Sequence, residues 1–291
     1  MRRLVTNADD LGWSEAVTSG ILQAHREGIV TSTTLMTNLP GAAEALDQAR
    51  RAGLGVGVHL NLTEGEPLSP PGEVAPIVDS SGRFQRSLPL LFCRAWWSGA
   101  ARRAIGRELG AQVARALDVG LEPTHLDSHK HVHLHPAILP LVIEVARRHG
   151  IRAVRTTVEA PLRGLSAHVP AHWGLWARLR QRANALTALR WGRRAQAAIR
   201  RAGLATTDWF AGVRLTGGLT AGFLCCLLEQ APEGTLELMA HPGLAEPGPA
   251  RPTRLGESRP RELAALCDPQ VREAAQRLHW DLVTYRDIGH G

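Results

Sequence analysis

The sequence predicts an α/β protein: a single βα barrel of seven or eight parallel strands spanning residues 1–291, with a basic helical insertion at 161–205. Three observations carry this. Short β-rich runs alternate with helical stretches along the chain, the pattern of parallel strands joined by crossover helices. Polar clusters fall where several of those strands end, as active-site residues do in barrels. No glycine-rich phosphate loop follows the first strand, which counts against an open nucleotide-binding sheet.

The elements follow in order. Leu4 to Thr6 is an apolar start that runs into Asn7-Ala8-Asp9-Asp10. Ser14 is placed to cap a helix reaching Glu27. Val30 to Met36 reads as a second strand, Gly41 to Arg51 as an Ala-rich helix stopped at Gly53, and Leu54 to Leu62 as a third strand. Thr63 to Arg86 is full of Pro, Gly and Ser and is expected to be a surface loop. A helix follows from Ala100 to Val119. Pro123 to Leu126 is the fourth strand, Ile138 to Arg148 a helix, and Ile151 to Thr156 the fifth strand. Strand-like runs return at Asp208–Val213, Leu236–Ala240 and Leu282–Tyr285.

Composition sets the bounds. The 291 residues are 44% hydrophobic, enough for one large core. No apolar run approaches the roughly 18 residues of a membrane span. The amino terminus meets acids before a secretory apolar segment could form, so a cytoplasmic location is expected. Cys93, Cys225, Cys226 and Cys267 show no metal-binding spacing, and Cys225-Cys226 sit in an apolar run as small core residues would. The net charge is +7 and Lys130 is the only lysine. Such arginine bias fits the codon usage of a GC-rich genome, and no nucleic-acid partner is expected from it.

The chemistry concentrates at four places. Asp9-Asp10 follows the first strand, and His59 lies late in the third. Five histidines fall between 125 and 135, around the fourth, and His241 closes a later strand in Met239-Ala240-His241-Pro242-Gly243. In a barrel these would converge. One carboxylate and two imidazoles suit a divalent ion and leave positions for water and substrate. Successive strand side chains alternate in direction, so only some of the five histidines can reach one ion. In an adjacent acid pair, one carboxylate can bind the ion while its neighbour acts as base. The competing readings are plain ones: Asp9 and Asp10 as helix caps, His59 as a core histidine, His241 as a turn residue. Spacing favours the metal but does not give the reaction.

These motifs resemble the YdjC-like carbohydrate deacetylases, a family that includes chito-oligosaccharide deacetylases. The matching pieces are Asn7-Ala8-Asp9-Asp10-Leu11-Gly12, Gly28 through Thr34, Gly57-Val58-His59-Leu60-Asn61-Leu62-Thr63, Thr124 through His133, and His241-Pro242-Gly243. The stretch Arg261 to Pro269, with Glu262-Leu263, resembles the family's closing region. The resemblance implies a βα barrel related to polysaccharide deacetylases and hydrolysis of the N-acetyl group of an amino sugar. Carried over by position, it implies Asp10, His59 and His129 as metal ligands, Asp9 as base and a protonated His241 as acid. His125 and Asp127 would orient the ligands or touch the sugar. Arg155 would hold Asp9 or bind substrate, the plain reading being a surface arginine. His131 is a weaker candidate for such a contact, and His133 and His135 are expected to be mostly structural. The ion would be one divalent metal: two imidazoles favour zinc, whereas a site keeping several waters suits Mg2+ or manganese.

The segment 161–205 places Trp173, Trp176 and Trp191 among Arg178, Arg180, Arg182, Arg190, Arg193, Arg194, Arg200 and Arg201. Trp173, Trp176, Leu179, Leu186 and Leu189 approximate helical spacing. A packed helix or a homodimer contact accounts for this, and so does peripheral membrane contact. A family branch associated with hopanoid biosynthesis implies a lipid-linked N-acetylglucosamine, which a basic aromatic helix would suit; a soluble oligosaccharide is the other substrate expected. Two alternatives stand apart from the deacetylase. A metal-dependent phosphoesterase would need further carboxylates for a second ion. A non-catalytic carbohydrate- or membrane-binding protein would have lost part of the acid and histidine set.

Overall fold

The computed structural model describes residues 1–170, 173–246 and 253–288. Its elements run β1 (Arg2–Leu11), α1 (Glu15–Glu27), β2 (Ser32–Leu35), α2 (Ala42–Arg51), β3 (Gly55–Leu60), α3 (Pro71–Val74), α4 (Leu88–Trp97), α5 (Gly99–Asp118) and β4 (Leu126–Ser128). Then come α6 (Leu139–Arg148), α7 (Leu175–Arg201), β5 (Trp209–Ala211), α8 (Ala221–Gln230), β6 (Gly234–Ala240), α9 (Arg259–Leu266), α10 (Pro269–Arg277) and β7 (Trp280–Leu282).

The strands are parallel, in the order β4-β3-β2-β1-β6-β5, with β7 also beside β1. β1 organises the sheet. It pairs with β6 from Arg2 to Ala8, with β7 at Arg2–Leu4 and with β2 from Asn7 to Leu11. The edge strands β4 and β5 are linked through 153–159 by single parallel bridges, Leu126 to Val154, Ala153 to Ala205 and Glu159 to Phe210. The sheet therefore curls into the expected barrel, with helices outside. Its strands are nearly continuous buried runs, as sheets covered on both faces require. Leu4, Leu11, Val56, Leu60, Leu126 and Leu236 belong to one core with the inner faces of the helices.

Local chemistry sets the helix starts. Ser14 accepts the Val17 N–H at the amino end of α1, and Ser98 accepts that of Ala101 at α5. Both supply an acceptor to a first-turn donor that the helix itself cannot satisfy.

Some elements depart from the sequence reading. The expected fifth strand, Ile151–Thr156, is reduced to bridges at Ala153 and Val154. Its neighbours β4 and β5 are only three residues long and offer no longer ladder. The last strand is Trp280–Leu282, and Tyr285 instead opens a 3-10 turn capped by Thr284 and Asp287. Within the Pro- and Gly-rich stretch 63–86, α3 and a 3-10 turn at Ala75–Ile77 bury Val74 and Ile77. α4 was not anticipated. Cys225 and Cys226 are half-buried, because the core side of α8 is taken by Phe223, Leu224, Leu227 and Leu228. Among the described residues no helix is long and apolar enough to cross a membrane.

Candidate metal centre and active site

The site gathers at the carboxyl ends of β1, β3, β4 and β6. Two adjacent acids on a regular strand would point to opposite faces. Here β1 breaks that rule: Asp10 takes a left-handed backbone with φ of 73°, and the β1–β2 register shifts between Ala8 and Leu11. The irregularity lets Asp9 and Asp10 serve one cluster. Left-handed φ is costly for a residue with a Cβ, so surrounding contacts must hold it there.

Asp10 divides its two oxygens. Oδ1 lies 3.4 Å from His59 Nε2 and 3.1 Å from His129 Nδ1. Oδ2 accepts a hydrogen bond from Arg259 Nη2 at 2.6 Å. The potential donor atoms of Asp10, His59 and His129 all lie within 4.8 Å of one another. His59 turns its other nitrogen, Nδ1, to Asp127 Oδ1 at 2.8 Å, with the Thr34 hydroxyl at 3.0 Å. Donation from Nδ1 to Asp127 leaves Nε2 as the lone-pair atom aimed at the cluster. His129 stacks against Trp13, with ring centroids 5.6 Å apart.

The electrostatics favour a cation here. Burial alone would push the His59 imidazolium down, yet Asp127 and Asp10 raise it to about 10. A site that draws a proton so strongly is one short of positive charge. Asp10 is held well below the usual carboxylate range: burial opposes ionisation, but Arg259, His129 and His59 outweigh it.

Behind this cluster lies a buried ionic network. Arg155 has no exposed surface; its Nη1 and Nη2 donate to Asp9 at 2.7 Å each, and its Nε to Glu237 at 2.7 Å. Nη1 also lies 2.6 Å from Asp127 Oδ2. Of the two readings of Arg155, holding Asp9 fits this position, while the surface arginine does not. Burial would raise the Asp9 carboxyl, but the Arg155 guanidinium keeps it well below the ordinary carboxylate range. Glu237 goes the other way: burial lifts it to about 7 against the pull of Arg155, and Tyr285 donates its hydroxyl to it. A second grouping of Asp9, His59 and Asp127 also has metal-like spacing. There both carboxylates are already ion-paired with Arg155, whereas Asp10 keeps an oxygen free of arginine.

His241 closes the site from β6. Its backbone N–H donates to Glu262 at 2.6 Å, and its buried Nδ1 has no hydrogen-bond partner among the described residues. Burial lowers its imidazole to about 4, against the attraction of Asp9 and Asp10. The loop that carries it packs closely on α1, since a Cβ at Gly20 would meet Gly243 Cα at 2.4 Å. Arg259 lies on the other side of Gly243, 3.0 Å from where its Cβ would be. Small residues at 20 and 243 thus let α1, the His241 loop and Arg259 meet.

The remaining candidates separate. Asp127 stands behind His59 and orients it. His125 is fully buried and stacks on Tyr285 at 3.6 Å, and a Cβ at Gly57 would strike its ring. Of its two expected roles, a group behind the cluster fits this depth better than a sugar contact. His131 is half-buried, edge-on to His133 and Phe210. His133 bridges the Ser128 hydroxyl and the Arg155 carbonyl, a structural role. Arg259, Glu237, Glu262 and Tyr285 were not singled out as site residues. Glu262 fell in the closing stretch resembling the family; nothing in the sequence marked the other three.

The chain matches the YdjC-like protein family over residues 3–277. A carbohydrate deacetylase of Geobacillus stearothermophilus is 35% identical over 292 residues, covering 99% of this chain and 98% of its own. A chitooligosaccharide deacetylase of Enterobacter is 42% identical over 155 residues, 51% of this chain and 57% of its own. Among solved structures, one from Enterococcus faecalis whose description names cellobiose-phosphate cleavage superposes with a TM-score of 0.71 at 25% identity. It covers 98% of this chain and 97% of that one.

Proposed function

Because the chain belongs to the YdjC-like family, we propose that it is a metal-dependent carbohydrate deacetylase, hydrolysing the N-acetyl group of an amino sugar to acetate and a free amine. One observation carries the reading: Asp10, His59 and His129 turn three potential ligand atoms to one point, beside Asp9 and His241. One carboxylate oxygen and two imidazole nitrogens, with a proton drawn to His59, suit a divalent ion such as Zn2+ or Mg2+. When bound, the ion would polarise the acetyl carbonyl and lower the pKa of a water molecule.

The chain's own groups do the rest. Asp9 is the base. Arg155 aims its carboxylate and keeps it ionised, while sharing its charge with Asp127 and Glu237. His241 is the acid, but it does not begin protonated, because burial holds it neutral; the proton it passes to the departing amine nitrogen is the one that Asp9 takes from the attacking water and hands on to it. Asp127 fixes the tautomer of His59, and Arg259 fixes the rotation of Asp10.

A phosphoesterase with two ions is less well supported, because Arg155 occupies the carboxylates that a second ion would use. The substrate is an N-acetylglucosamine unit, in a soluble oligosaccharide or on a lipid. The test is acetate release by metal-loaded and chelated protein, on chitobiose and on an N-acetylglucosaminyl lipid. Release that chelation stops supports the reading. No release from either substrate by protein holding one ion would overturn it.

A further inference from the structure

α7 is 27 residues long and does two jobs along its length. Its second half is an ordinary crossover helix, with Ala195 and Ile199 buried in the barrel's outer core. Its first half leaves large apolar groups in solvent: Trp176 is 81% exposed, Leu175 67% and Leu186 70%, with Leu179 also exposed. Helical spacing sets Trp176, Leu179, Ala183, Thr187, Arg190 and Arg194 along one side of the helix. The side chains of Arg178 and Arg180 lie outside the described residues.

That side leads into a groove of about 350 Å³ between α7 and α4. Trp96, His135 and Trp191 give its aromatic wall, and Arg190 and Arg194 its charge. The His135 ring is clamped, stacked on Phe92 at 4.5 Å and edge-on to Trp191 at 5.2 Å. Beside it on α4, Trp97 is 79% exposed. Neither arginine has an ion-pair partner among the described residues. α7 holds eight arginines and no Asp or Glu.

We propose that this face of α4 and α7 docks the protein on an anionic lipid surface. Exposed tryptophans and leucines on a soluble fold mark an interaction surface. Tryptophan sits well at a membrane interface, where one part of the ring is apolar and another wet. Unpaired arginines around it match anionic headgroups, and the groove is of a size to seat one beside Arg190 and Arg194. The charge decides against a second copy: an isologous dimer through this face would set arginines against arginines with no carboxylate between them. The location also matters. Segment 129–136 carries the candidate ligand His129 at one end and His135 and Pro136 of the groove at the other. The inference rests on this surface alone and does not depend on the proposed chemistry.

The test is cosedimentation of the full chain with phosphatidylcholine vesicles, with and without phosphatidylglycerol, while tryptophan fluorescence is followed. The wild type should bind only the anionic vesicles, with a blue shift, and release at high salt. Arg190→Ala/Arg194→Ala and Trp97→Ala/Trp176→Ala should each partition at least about tenfold more weakly, with thermal midpoints and far-ultraviolet circular dichroism unchanged. Wild-type binding that is absent, indifferent to lipid charge, or equal in the variants would overturn the proposal. So would self-association without lipid that the tryptophan variant abolishes, which would give the face to a second copy.

Discussion

Asp9 and Asp10 are neighbours in the chain with different partners, and that difference assigns their roles. Asp9 gives both oxygens to Arg155; Asp10 keeps one free toward His59 and His129. Asp9→Asn should therefore reduce turnover by a factor of about 10² or more while leaving about one ion per chain by metal analysis. His129→Ala should lose the ion itself, and stoichiometric metal in that variant would contradict the ligand assignment. Arg155 is a separate matter. Replacing it with Met leaves Asp9, Asp127 and Glu237 buried without their cation, and should cost about 3–5 kcal/mol in denaturant unfolding. A loss under about 1 kcal/mol would mean that the carboxylates find other partners. The acids and histidines of the site were legible in the sequence because their types are chemically rare and their spacing tracked the strand ends. Arg259 and Glu237 were not, since one arginine among many carries no mark until the fold brings it to Asp10.

At the scale of elements, the helix and strand alternation was readable because each unit buries one face with its own period. α1 and its Ser14 cap were placed within a residue. Length was harder. Ile151–Thr156 has the composition of a strand, but pairing depends on β4 and β5, which are remote in sequence and short. The Gly20 position shows how one element fixes another. Gly20→Ala would force a methyl group into Gly243 and move the His241 loop off α1. It should destabilise the protein by about 1–3 kcal/mol and lower kcat more than metal content; an unchanged thermal midpoint would show that the loop yields freely.

Over the whole molecule, the barrel concentrates titratable groups in a dry interior, and pH should report it. Burial lowers His133 to about 3 and His241 to about 4, and depresses His125 and His131 well below their ordinary 6.5. Above about pH 6.5 these four are neutral whether folded or unfolded and cost nothing. As pH falls below that value the unfolded chain takes up protons that the folded chain refuses, so stability drops, by up to about 1.4 kcal/mol per group per pH unit. His59 has the opposite sign: raised to about 10, its contribution is full below 6.5 and is lost as pH rises through 10. Glu237 and Glu262, raised by burial to about 7, oppose the four histidines, because they cost stability above their ordinary range and return it as pH falls toward 5. The denaturation midpoint of chelated protein should therefore fall only modestly from about pH 7 to about pH 5, and His133→Phe should make that fall smaller; an unchanged slope in the variant would contradict the burial of His133. By itself the sequence determined the fold class, the strands that carry the chemistry and the residue types that meet, because hydrophobic period and strand ends are local properties. Only the tertiary structure decided which carboxylate each arginine holds, which imidazole nitrogen is free and which tryptophans stay in water. Those depend on contacts between residues far apart in the chain, such as Asp10 with Arg259 and His135 with Trp191, which no local pattern encodes.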